Sequence, residues 1–502
     1  MSKILDLKKL ESILIKSKKK KIIHCHGVFD LLHVGHIYYF EEAKKLGDIL
    51  IVTITEDKYV NKGEGRPFFS EKYRADSIAA LKFVDYVYIN RSETAEKIIK
   101  KIKPSYYVKG PDYSNLEEDI SANIIKEKEA VESVGGKLVF TQSETFSSSN
   151  LINKAFSNLN SEQKKFLELI KKNFTINQIN KYIDSLNELK VINIGESILD
   201  EYVYCETIGK SGKDPFLVSK KINSETYLGG ILAVANHISS FVKKVNIFTY
   251  LGDTKNNKSF ITKNLKGNVE LNYVEKDNSP TILKTRFIDT YTNSKMSGIY
   301  SINDKDLDKK SEKILSSKIS SATKRNDLAL IVDYGHGLIT DSIINAIYKH
   351  NLFLAVNFQI NSFNRGFYDL KKYKKADFLC IHEGELRQNF RMKDEDIKIL
   401  VRKLAKELSC KYITITRGKN GALVLHKNKF FEAPAFANKI VDRVGAGDTM
   451  LSILALCFSK NIPVELSLLF ASIAAAENIS SQGSKKTMDR LSLKKSITSL
   501  LK

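Results

Sequence analysis

The feature that most constrains the fold is an alternation of short apolar runs with longer amphipathic stretches, which occurs twice along the chain. In the first series, from 21 to 150, runs such as Ile49–Thr55 are apolar and rich in β-branched residues. The second series begins at Val191–Ile194 and continues towards the end of the chain. Because strands that alternate with helices usually form a parallel sheet with crossover helices, the pattern predicts two α/β units.

The individual runs predict where the strands lie in each series. In the first series the predicted strands are Lys21–Val28, Ile49–Thr55, Val84–Ile89, Tyr106–Lys109 and Lys137–Thr141, with a helix at Val34–Leu46. In the second series they are Val191–Ile194, Val245–Tyr250, Leu328–Val332, Phe353–Val356, Phe378–Ile381, Tyr412–Thr416 and Ala422–His426, before an alanine-rich helical region at Gly445–Ile479. Each series is long enough to build a core of its own.

A polar segment with helical spacing of leucine, isoleucine and phenylalanine separates the two series. We therefore predict a first domain at 1–150, a helical connector at 151–189 and a second domain at 190–502. The length of 502 residues agrees with two or three domains.

Composition excludes several functional classes. A hydrophobic content of 42% argues against disorder. The net charge of +22 leaves nucleic-acid binding open as an alternative, but the lysines are scattered, so we interpret them as solvated surface. The five cysteines contain no Cys-x-x-Cys pair, which predicts neither a disulfide framework nor a structural zinc site. Without a signal peptide or a bilayer-length apolar run, we expect a cytoplasmic protein with no membrane partner.

The strongest local pattern is HGVFDLLHVGHIYYFEEAKKLGD, at 26–48. It predicts that a strand ends at Gly27 and that His33 and His36 lie where a helix begins. A helix N-terminus offers free N–H groups and partial positive charge to a phosphate, and imidazoles there can donate to phosphoryl oxygens. Gly35, between the histidines, lets the backbone approach a nucleotide closely. Two histidines at this spacing could also bind a metal or be satisfied within the protein.

This segment resembles the His-x-Gly-His signature of the cytidylyltransferase-like superfamily. The resemblance continues through RPFFSEKYR at 66–74, IKPSYYVKGPDYS at 102–114 and GGKLVFTQSETFSSSNLI at 135–152. These segments are similar to the nucleotidyltransferase half of the bifunctional heptose-7-phosphate kinase/heptose-1-phosphate adenylyltransferase family. The resemblance implies a Rossmann-like α/β fold. It also implies attack of a substrate phosphate on the α-phosphorus of a nucleoside triphosphate, with loss of pyrophosphate.

The same resemblance implies roles for particular residues. His33 and His36 would be catalytic and would stabilise the transition state. The implied nucleotide-binding residues are Gly27, Phe29, Lys62, Arg66, Lys109, Gly110, Asp112, Ser147, Ser148 and Ser149. His26 occupies a position where we expect asparagine, which leaves the substrate open.

A second motif, VDRVGAGDTM at 441–450, contains the groups that phosphoryl transfer requires. Gly445, Ala446 and Gly447 can direct backbone N–H groups at an anion where a helix starts. Asp448 follows, where a carboxylate can accept the proton of a hydroxyl. From the triphosphate chemistry we expect Mg²⁺ as the cofactor.

This motif resembles the Asp-x-x-Gly-Ala-Gly-Asp signature of ribokinase-like carbohydrate kinases, and the resemblance extends over about 190–490. INIGESILDEY, LGG, LKTRFID, VDYGHG and TRGKNG follow in the order of the family. The resemblance implies that Asp448 is catalytic. The implied nucleotide-binding residues are Arg417, Gly418, Gly445, Ala446 and Gly447; the implied substrate-binding residues are Asp200, Gly229, Gly230, Arg286 and Asp333; and Glu385 lies near the metal.

Several positions depart from the kinase pattern. Ala233 replaces an asparagine, His336 replaces a lysine, and 357–360 replaces an Asp-Pro-Lys-Gly string. In the Asn-x-x-Glu element, His382 takes the place of the asparagine. Two explanations remain open: the kinase acts on a different sugar phosphate, or it is a weak or inactive module for binding or oligomerisation.

We therefore predict an enzyme that transfers AMP or CMP from ATP or CTP to a sugar phosphate, fused to a sugar kinase, for nucleotide-sugar synthesis. The order of the two domains is the reverse of the order that we expect in the heptose family. We expect a homo-oligomer with no nucleic-acid partner. The alternatives are a cytidylyltransferase for glycerol phosphate or another alcohol phosphate with a non-catalytic kinase-like module, and a non-catalytic sensor of nucleotide sugars.

Overall fold

The computed structural model describes residues 2–60, 65–111, 123–142, 159–252, 255–361, 363–365, 370–437, 439–484 and 487–501. The chain forms two compact units. The first unit comprises Met1–Asn158 together with Leu491–Lys502, and the second comprises Leu159–Arg490. None of the helices in the described ranges has the length and apolar character needed to cross a bilayer.

The first unit is built on a parallel sheet, whose described strands lie in the order β1-β4-β3-β2-β5-β6. These strands are β1 (Ile4–Leu5), β2 (Ile22–Gly27), β3 (Ile49–Thr55), β4 (Tyr86–Asn90), β5 (Tyr106–Lys109) and β6 (Lys137–Phe140). The accompanying helices are α1 (Leu7–Lys16), α2 (Val34–Lys44), α3 (Glu71–Ala79), α4 (Glu96–Ile102) and α5 (Asn123–Glu132).

The order of these strands determines where a ligand can bind. From β2 the chain continues to β3 on one side, whereas β5 pairs with β2 on the other side. The order therefore reverses at β2, and open α/β sheets bind ligands at the carboxyl ends of strands beside such a reversal. The residues after β2 and β5 lie at this edge of the sheet.

The apolar character of the strands explains why most were predicted. All seven residues of β3 are buried, as its unbroken apolar run requires for a central parallel strand. The bounds predicted for β3 and β5 are confirmed, and those of β2, β4 and β6 differ by one or two residues at an end. We did not predict α1, because its sequence, LKKLESILIK, is half polar and buries only Leu10.

The second unit contains two sheets and most of the helices. Its described strands are β7 (Lys190–Gly195), β8 (Ser197–Lys210), β9 (Leu217–Gly230), β10 (Lys244–Leu251), β11 (Val269–Glu275), β12 (Ile282–Asp289), β13 (Lys295–Ser301), β14 (Leu328–Asp333), β15 (Phe353–Phe358), β16 (Lys375–His382), β17 (Ser409–Thr416), β18 (Ala422–His426) and β19 (Lys429–Ala433). Its described helices are α6 (Ser161–Asn173), α7 (Ile176–Ser185), α8 (Ile231–Ser239), α9 (Lys255–Asn264), α10 (Lys309–Thr323), α11 (Asp341–Tyr348), α12 (Glu383–Phe390), α13 (Ile397–Glu407), α14 (Ala446–Ser459) and α15 (Val464–Ile479). The last helix, α16 (Arg490–Leu501), belongs to the first unit from Leu491 onwards.

The larger sheet has the order β11-β10-β7-β14-β15-β16-β17-β18-β19 over the described residues. It is parallel as far as β17 and antiparallel from β17 to β19. Helices α14 and α15 are almost wholly buried, which explains the alanine-rich character of the predicted helical region. The predicted α/β class is therefore confirmed for both units.

A smaller sheet with the order β13-β12-β8-β9 was not predicted. Its strands β8 and β12 are parallel, and its outer pairs are antiparallel. Every residue of β13 is exposed, and most of β9 is exposed or half-buried. These strands therefore lack the continuous apolar run that marks the buried strands.

Candidate active sites

His33 and His36 lie together at the start of α2, immediately beyond the end of β2. His33 is the residue before the helix, and its backbone is extended. The two rings are stacked, with centroids 3.8 Å apart and an interplanar angle of 22°. Burial lowers the pKa of His33 below its ordinary value, so this ring is neutral at neutral pH. A neutral imidazole still offers one N–H donor to a phosphoryl oxygen.

Aromatic residues fix the position of this histidine pair. The ring of Phe29 meets His36 edge-on, with centroids 5.3 Å apart, and packs against Phe40 of the same helix. Phe29 has a positive φ of 49°. A Cβ on Gly27 would lie 2.9 Å from the Phe29 ring, so a larger residue there would displace this ring. The hydroxyl of Tyr39 donates to the carbonyl oxygen of Val108 at 2.6 Å, which ties α2 to the end of β5.

Two charged residues that the sequence did not assign fix the loop after β2. The buried carboxylate of Asp30 accepts hydrogen bonds from the backbone N–H groups of Phe68 at 2.9 Å and Phe69 at 3.0 Å. It also pairs with Arg66, whose Nη1 lies 3.3 Å away. The buried Arg74 donates to the carbonyl oxygens of Val28 and Thr55, at the ends of β2 and β3. The predicted nucleotide ligand Arg66 therefore lies beside the site and is held by Asp30.

His26 belongs to a polar network between β2 and β3. Its Nδ1 lies 2.8 Å from Oγ1 of Thr53, and Nε2 of His24 lies at the same distance from that oxygen. Burial lowers the pKa of His26 to about 3 and that of His24 well below its ordinary value, so both rings are neutral. The residue that replaces the expected asparagine is thus engaged with the neighbouring strand.

Lys109 ends β5, as predicted, but its ammonium group is directed at a carboxylate of α5. Its Nζ lies 2.9 Å from Oε2 of Glu127, and both side chains are almost fully buried. The same Nζ donates to the carbonyl oxygen of His26 at 3.4 Å. Gly110, the next residue, has open space where a Cβ would be. Lys62, Asp112, Ser147, Ser148 and Ser149 lie outside the described residues, so their implied roles remain predictions.

In the second unit, Asp448 lies in the first turn of α14 and is half-buried. Gly445 precedes the helix with a φ of 84°, a conformation that favours glycine. A Cβ on Gly447 would meet nothing within 4 Å, so backbone N–H groups here can be approached closely. Burial raises the pKa of Asp448 to about 6. An interaction with the Tyr334 hydroxyl opposes this rise, whereas the charge of Asp200 adds to it.

Asp442, the first acidic residue of the motif, anchors the loop before α14. Its buried carboxylate accepts a hydrogen bond from the Tyr202 hydroxyl at 2.6 Å and from the backbone N–H of Val444 at 3.1 Å. Lys295 of β13 contributes an ion pair at 2.8 Å. The sequence motif contains this aspartate, but no role was predicted for it. The structure shows that it joins the loop to the smaller sheet.

Asp200 and Arg286, both predicted to bind the substrate, form an ion pair with each other. Arg286 also lies over the ring of Tyr202, with its guanidinium carbon 5.6 Å from the centroid. A Cβ on Gly229 would lie 2.1 Å from Oδ2 of Asp200, so glycine is required for this carboxylate to occupy its position. Gly230 follows with a φ of 57° and ends β9. The structure thus brings these four predicted residues together.

Asp333 is fully buried at the end of β14 and is surrounded by donors. It accepts hydrogen bonds from the Tyr373 hydroxyl and from the N–H of Gly335, and Lys372 forms an ion pair with it. Next to it, the buried carboxylate of Glu196 accepts from the backbone N–H groups of Tyr334 and His336. Burial and the charge of Asp333 raise the pKa of Glu196 to about 7. These carboxylates hold the loop that carries Tyr334 and His336.

The remaining predicted residues lie at the carboxyl ends of β16 and β17. Glu385 accepts hydrogen bonds from the backbone N–H groups of Ile360 and His382. Burial raises the pKa of Glu385 to about 7, and the charge of Asp448 adds to this rise. Arg417 pairs with Glu432 at 3.0 Å, and Gly418 follows with a φ of 57°.

Glu385 is the predicted metal ligand at this edge of the sheet, and it lies close enough to Asp448 for that charge to raise its pKa. Within the described ranges no group of three or more histidine, cysteine or acidic side chains is arranged to hold a metal. One or two carboxylates, together with the phosphates of the substrate, are the ligand set that Mg²⁺ commonly uses.

Two family models match the chain. Residues 190–490 match the model described as pfkB family carbohydrate kinase, and residues 24–155 match the model described as cytidylyltransferase-like. Together they cover the residues that form both sites.

Curated relatives match over a shorter length. The Bifunctional protein HldE of Campylobacter concisus is 42% identical over 137 residues, which cover 27% of this chain and 29% of that protein. The Bifunctional protein HldE of Helicobacter pylori is 46% identical over 132 residues, or 26% of this chain and 28% of that protein. The chain therefore spans under a third of the length of these relatives, and the relative order of the two domains stays a prediction.

Solved structures show the fold of the second unit. Phosphofructokinase-2 from Escherichia coli, in complex with fructose-6-phosphate, has a TM-score of 0.50 and 14% sequence identity. The same enzyme in complex with potassium has a TM-score of 0.50 and 16% identity. Each match covers 62% of this chain and 99% of the solved chain.

Proposed function

Because the chain belongs to the pfkB family of carbohydrate kinases, we propose that its two units catalyse consecutive reactions on one sugar. The second unit phosphorylates the sugar or a sugar phosphate with ATP. The first unit transfers AMP or CMP from ATP or CTP to the resulting sugar phosphate and releases pyrophosphate. The product is a nucleotide sugar, made in the cytoplasm.

The stacked histidine pair is the observation that supports nucleotidyl transfer. A phosphate oxygen of the sugar phosphate attacks the α-phosphorus of the triphosphate, and the bond from that phosphorus to the bridging oxygen of pyrophosphate breaks. Negative charge increases on the oxygens around the α-phosphorus in the transition state. We propose that ring N–H groups of His33 and His36, stacked at the start of α2, and backbone N–H groups there stabilise this charge.

Asp448 at the start of α14 supports the kinase reaction. Its carboxylate accepts the proton of a sugar hydroxyl, whose oxygen attacks the γ-phosphorus of ATP. The bond from that phosphorus to the β–γ bridging oxygen breaks, and ADP leaves. With a pKa of about 6, the carboxylate is mostly ionised at pH 7 and remains a useful base. Backbone N–H groups of the turn at Gly445 and Gly447 would bind the transferred phosphoryl group, and the open space at Gly447 leaves room for it. Magnesium, which Glu385 would hold, would neutralise part of the triphosphate charge when it is bound.

A product survey by mass spectrometry tests the proposal. The full chain is incubated with Mg²⁺, with ATP or CTP, and with free sugars, sugar 1-phosphates, sugar 7-phosphates and glycerol phosphate. Nucleotide-sugar formation that depends on a sugar 1-phosphate supports the first reaction, and ATP-dependent gain of one phosphate by a sugar supports the second. CDP-glycerol as the only product would replace the proposal by an alcohol-phosphate cytidylyltransferase, and no product in any mixture would refute catalysis.

We also propose that the protein is a homo-oligomer in which a second copy covers the smaller sheet. Ile208, Leu217 and Ile299 on this sheet are 67%, 71% and 65% exposed. A second copy that packs on this sheet would bury these exposed apolar side chains. Light scattering after gel filtration should give at least twice the chain mass, and Ile208→Lys with Leu217→Lys should reduce it to one chain. The exposed Ile314→Lys change on α10 is the control, and a monomeric unaltered protein would contradict the proposal.

A further inference from the structure

The loop that leads into α14 is held by one carboxylate. Asp442 is almost fully buried and lies three residues before Gly445, which begins the turn proposed to bind the transferred phosphoryl group. Oδ1 of Asp442 accepts a hydrogen bond from the backbone N–H of Val444 at 3.1 Å, so the carboxylate folds the loop back on itself. The direction of the backbone N–H groups that follow Val444 therefore depends on the position of this carboxylate.

Two side chains of the smaller sheet hold the carboxylate of Asp442. Lys295 is contributed by β13, and its Nζ lies 2.8 Å from Oδ1, the same oxygen that accepts from Val444. Tyr202 is contributed by β8, and its hydroxyl donates to Oδ2 at 2.6 Å. Both oxygens of Asp442 are thus engaged from outside the loop, and Lys295 is the partner that carries a positive charge.

The ion pair joins a buried charge to a partly exposed one. The side chain of Asp442 is 3% exposed, whereas that of Lys295 is 44% exposed. Burial alone would raise the pKa of Asp442, but hydrogen bonds from Lys295 and Tyr202 lower this pKa below its ordinary value, so the carboxylate is charged at neutral pH. Because a buried carboxylate without its cation is costly, removal of Lys295 would favour movement of Asp442 towards water or uptake of a proton. Either change would disturb the hydrogen bond to Val444.

Tyr202 also connects this loop to residues that were predicted to bind the sugar. Arg286 lies over the Tyr202 ring, with its guanidinium carbon 5.6 Å from the centroid, and pairs with Asp200. Nζ of Lys295 lies 5.9 Å from the centroid of the same ring. The smaller sheet therefore carries both the predicted sugar-binding pair and the side chains that hold the loop before α14.

We propose that Lys295 is a positioning residue for phosphoryl transfer, which fixes the turn at Gly445 from the smaller sheet by way of Asp442. The proposal rests on the kinase reaction proposed above. Lys295 lies outside every segment that carries the family resemblance, and it acts on Asp442, not on the sugar or on ATP. The N–H groups of the turn bind the phosphoryl group most strongly when negative charge develops on it during transfer. Their misplacement therefore lowers kcat more than it raises KM.

Steady-state phosphorylation by the full chain tests this role. We expect Lys295→Met to lower kcat by about 10-fold or more, while the KM values for ATP and the sugar change by less than about 3-fold. Lys295→Arg keeps a cation beside Asp442 and should recover most of the lost kcat. Lys220→Met, which changes an exposed lysine on β9 of the same sheet, is the matched control and should have no effect.

Hydrogen exchange separates this role from a general loss of stability. In the full chain with ADP and Mg²⁺, peptides that contain 441–447 should exchange at least about 10-fold faster in Lys295→Met than in the unaltered chain. Lys295→Arg should restore slow exchange in these peptides. Peptides of β14, which is buried along its whole length, should exchange at the same rate in all the variants.

A double-mutant cycle shows whether Lys295 acts by way of Asp442. In an Asp442→Asn background, Lys295→Met should cause no further loss of kcat, because the charge that it neutralises is absent. If Lys295→Met behaves as Lys220→Met does in both assays, or raises KM without lowering kcat, the inference is wrong even where turnover is intact. If the unaltered chain phosphorylates no sugar, faster exchange at 441–447 still supports the hold of Lys295 on the turn, whereas the proposed kinase reaction fails.

Discussion

The ion pair between Lys109 and Glu127 allows a structural role to be separated from a role in nucleotide binding. The two side chains are 8% and 6% exposed, and their charged atoms lie 2.9 Å apart. In Lys109→Met, the carboxylate of Glu127 stays buried without its cation, which should lower the free energy of unfolding of the first unit by about 3–5 kcal/mol. In a unit of this size that loss should lower the Tm by about 6–20 °C.

Hydrogen exchange in urea, followed by mass spectrometry on peptides of β5, measures this loss in the full chain. The double variant Lys109→Met with Glu127→Leu is the control, because an apolar pair should recover most of the stability. A loss below about 1 kcal/mol, or a double variant no more stable than the single one, would refute the reasoning. A large loss of ATP or CTP affinity at unchanged stability would instead support the phosphate-binding role that the sequence predicted for Lys109.

Three further predictions concern the second unit. Asp448→Asn should reduce ATP-dependent sugar phosphorylation by at least about 10²-fold in a steady-state assay and leave the circular dichroism spectrum unchanged; a smaller loss would contradict its role as base. Because the pKa of Asp448 is raised to about 6, the base becomes protonated and kcat should fall as the pH decreases through about 6; a kcat that stays unchanged down to pH 4.5 would count against this assignment. The raised pKa also means that the ionised carboxylate destabilises the folded state at pH 7, so Asp448→Asn should raise the Tm at that pH. Gly229→Ala should raise the KM for the sugar, because a Cβ there would lie 2.1 Å from Asp200, whereas Gly212→Ala, which meets nothing within 4 Å, should leave the KM unchanged.

The parts of the fold that sequence reasoning predicted are those with a local signal. The strand at Ile49–Thr55 is apolar on both faces, and the strand, glycine, turn and histidine pattern lies within eleven residues, 26–36. Local patterns of this kind predicted that His33 and His36 lie at a helix start. The smaller sheet lacks such a signal because β13 is exposed along its whole length and depends on pairing with β12.

Charge pairing between distant positions could not be predicted. Lys109 looked like a phosphate ligand because it ends a parallel strand, but its partner Glu127 is contributed by the following helix. Arg286 likewise suited a phosphate, yet Asp200, on the strand beside it, neutralises it. Periodicity and motifs describe which positions are buried, whereas the choice of an ionic partner depends on tertiary contacts.

The rate of pyrophosphate release by His36→Ala tests the central claim most directly. With Mg²⁺, ATP or CTP and the sugar 1-phosphate that the unaltered chain uses, loss of this donor should reduce kcat by about 10²–10³-fold. The circular dichroism spectrum should be unchanged, and Tyr38→Ala, an exposed change on the same helix, should keep the full rate. A His36→Ala protein that releases pyrophosphate at nearly the unaltered rate would contradict the claim that the stacked imidazoles stabilise the transition state.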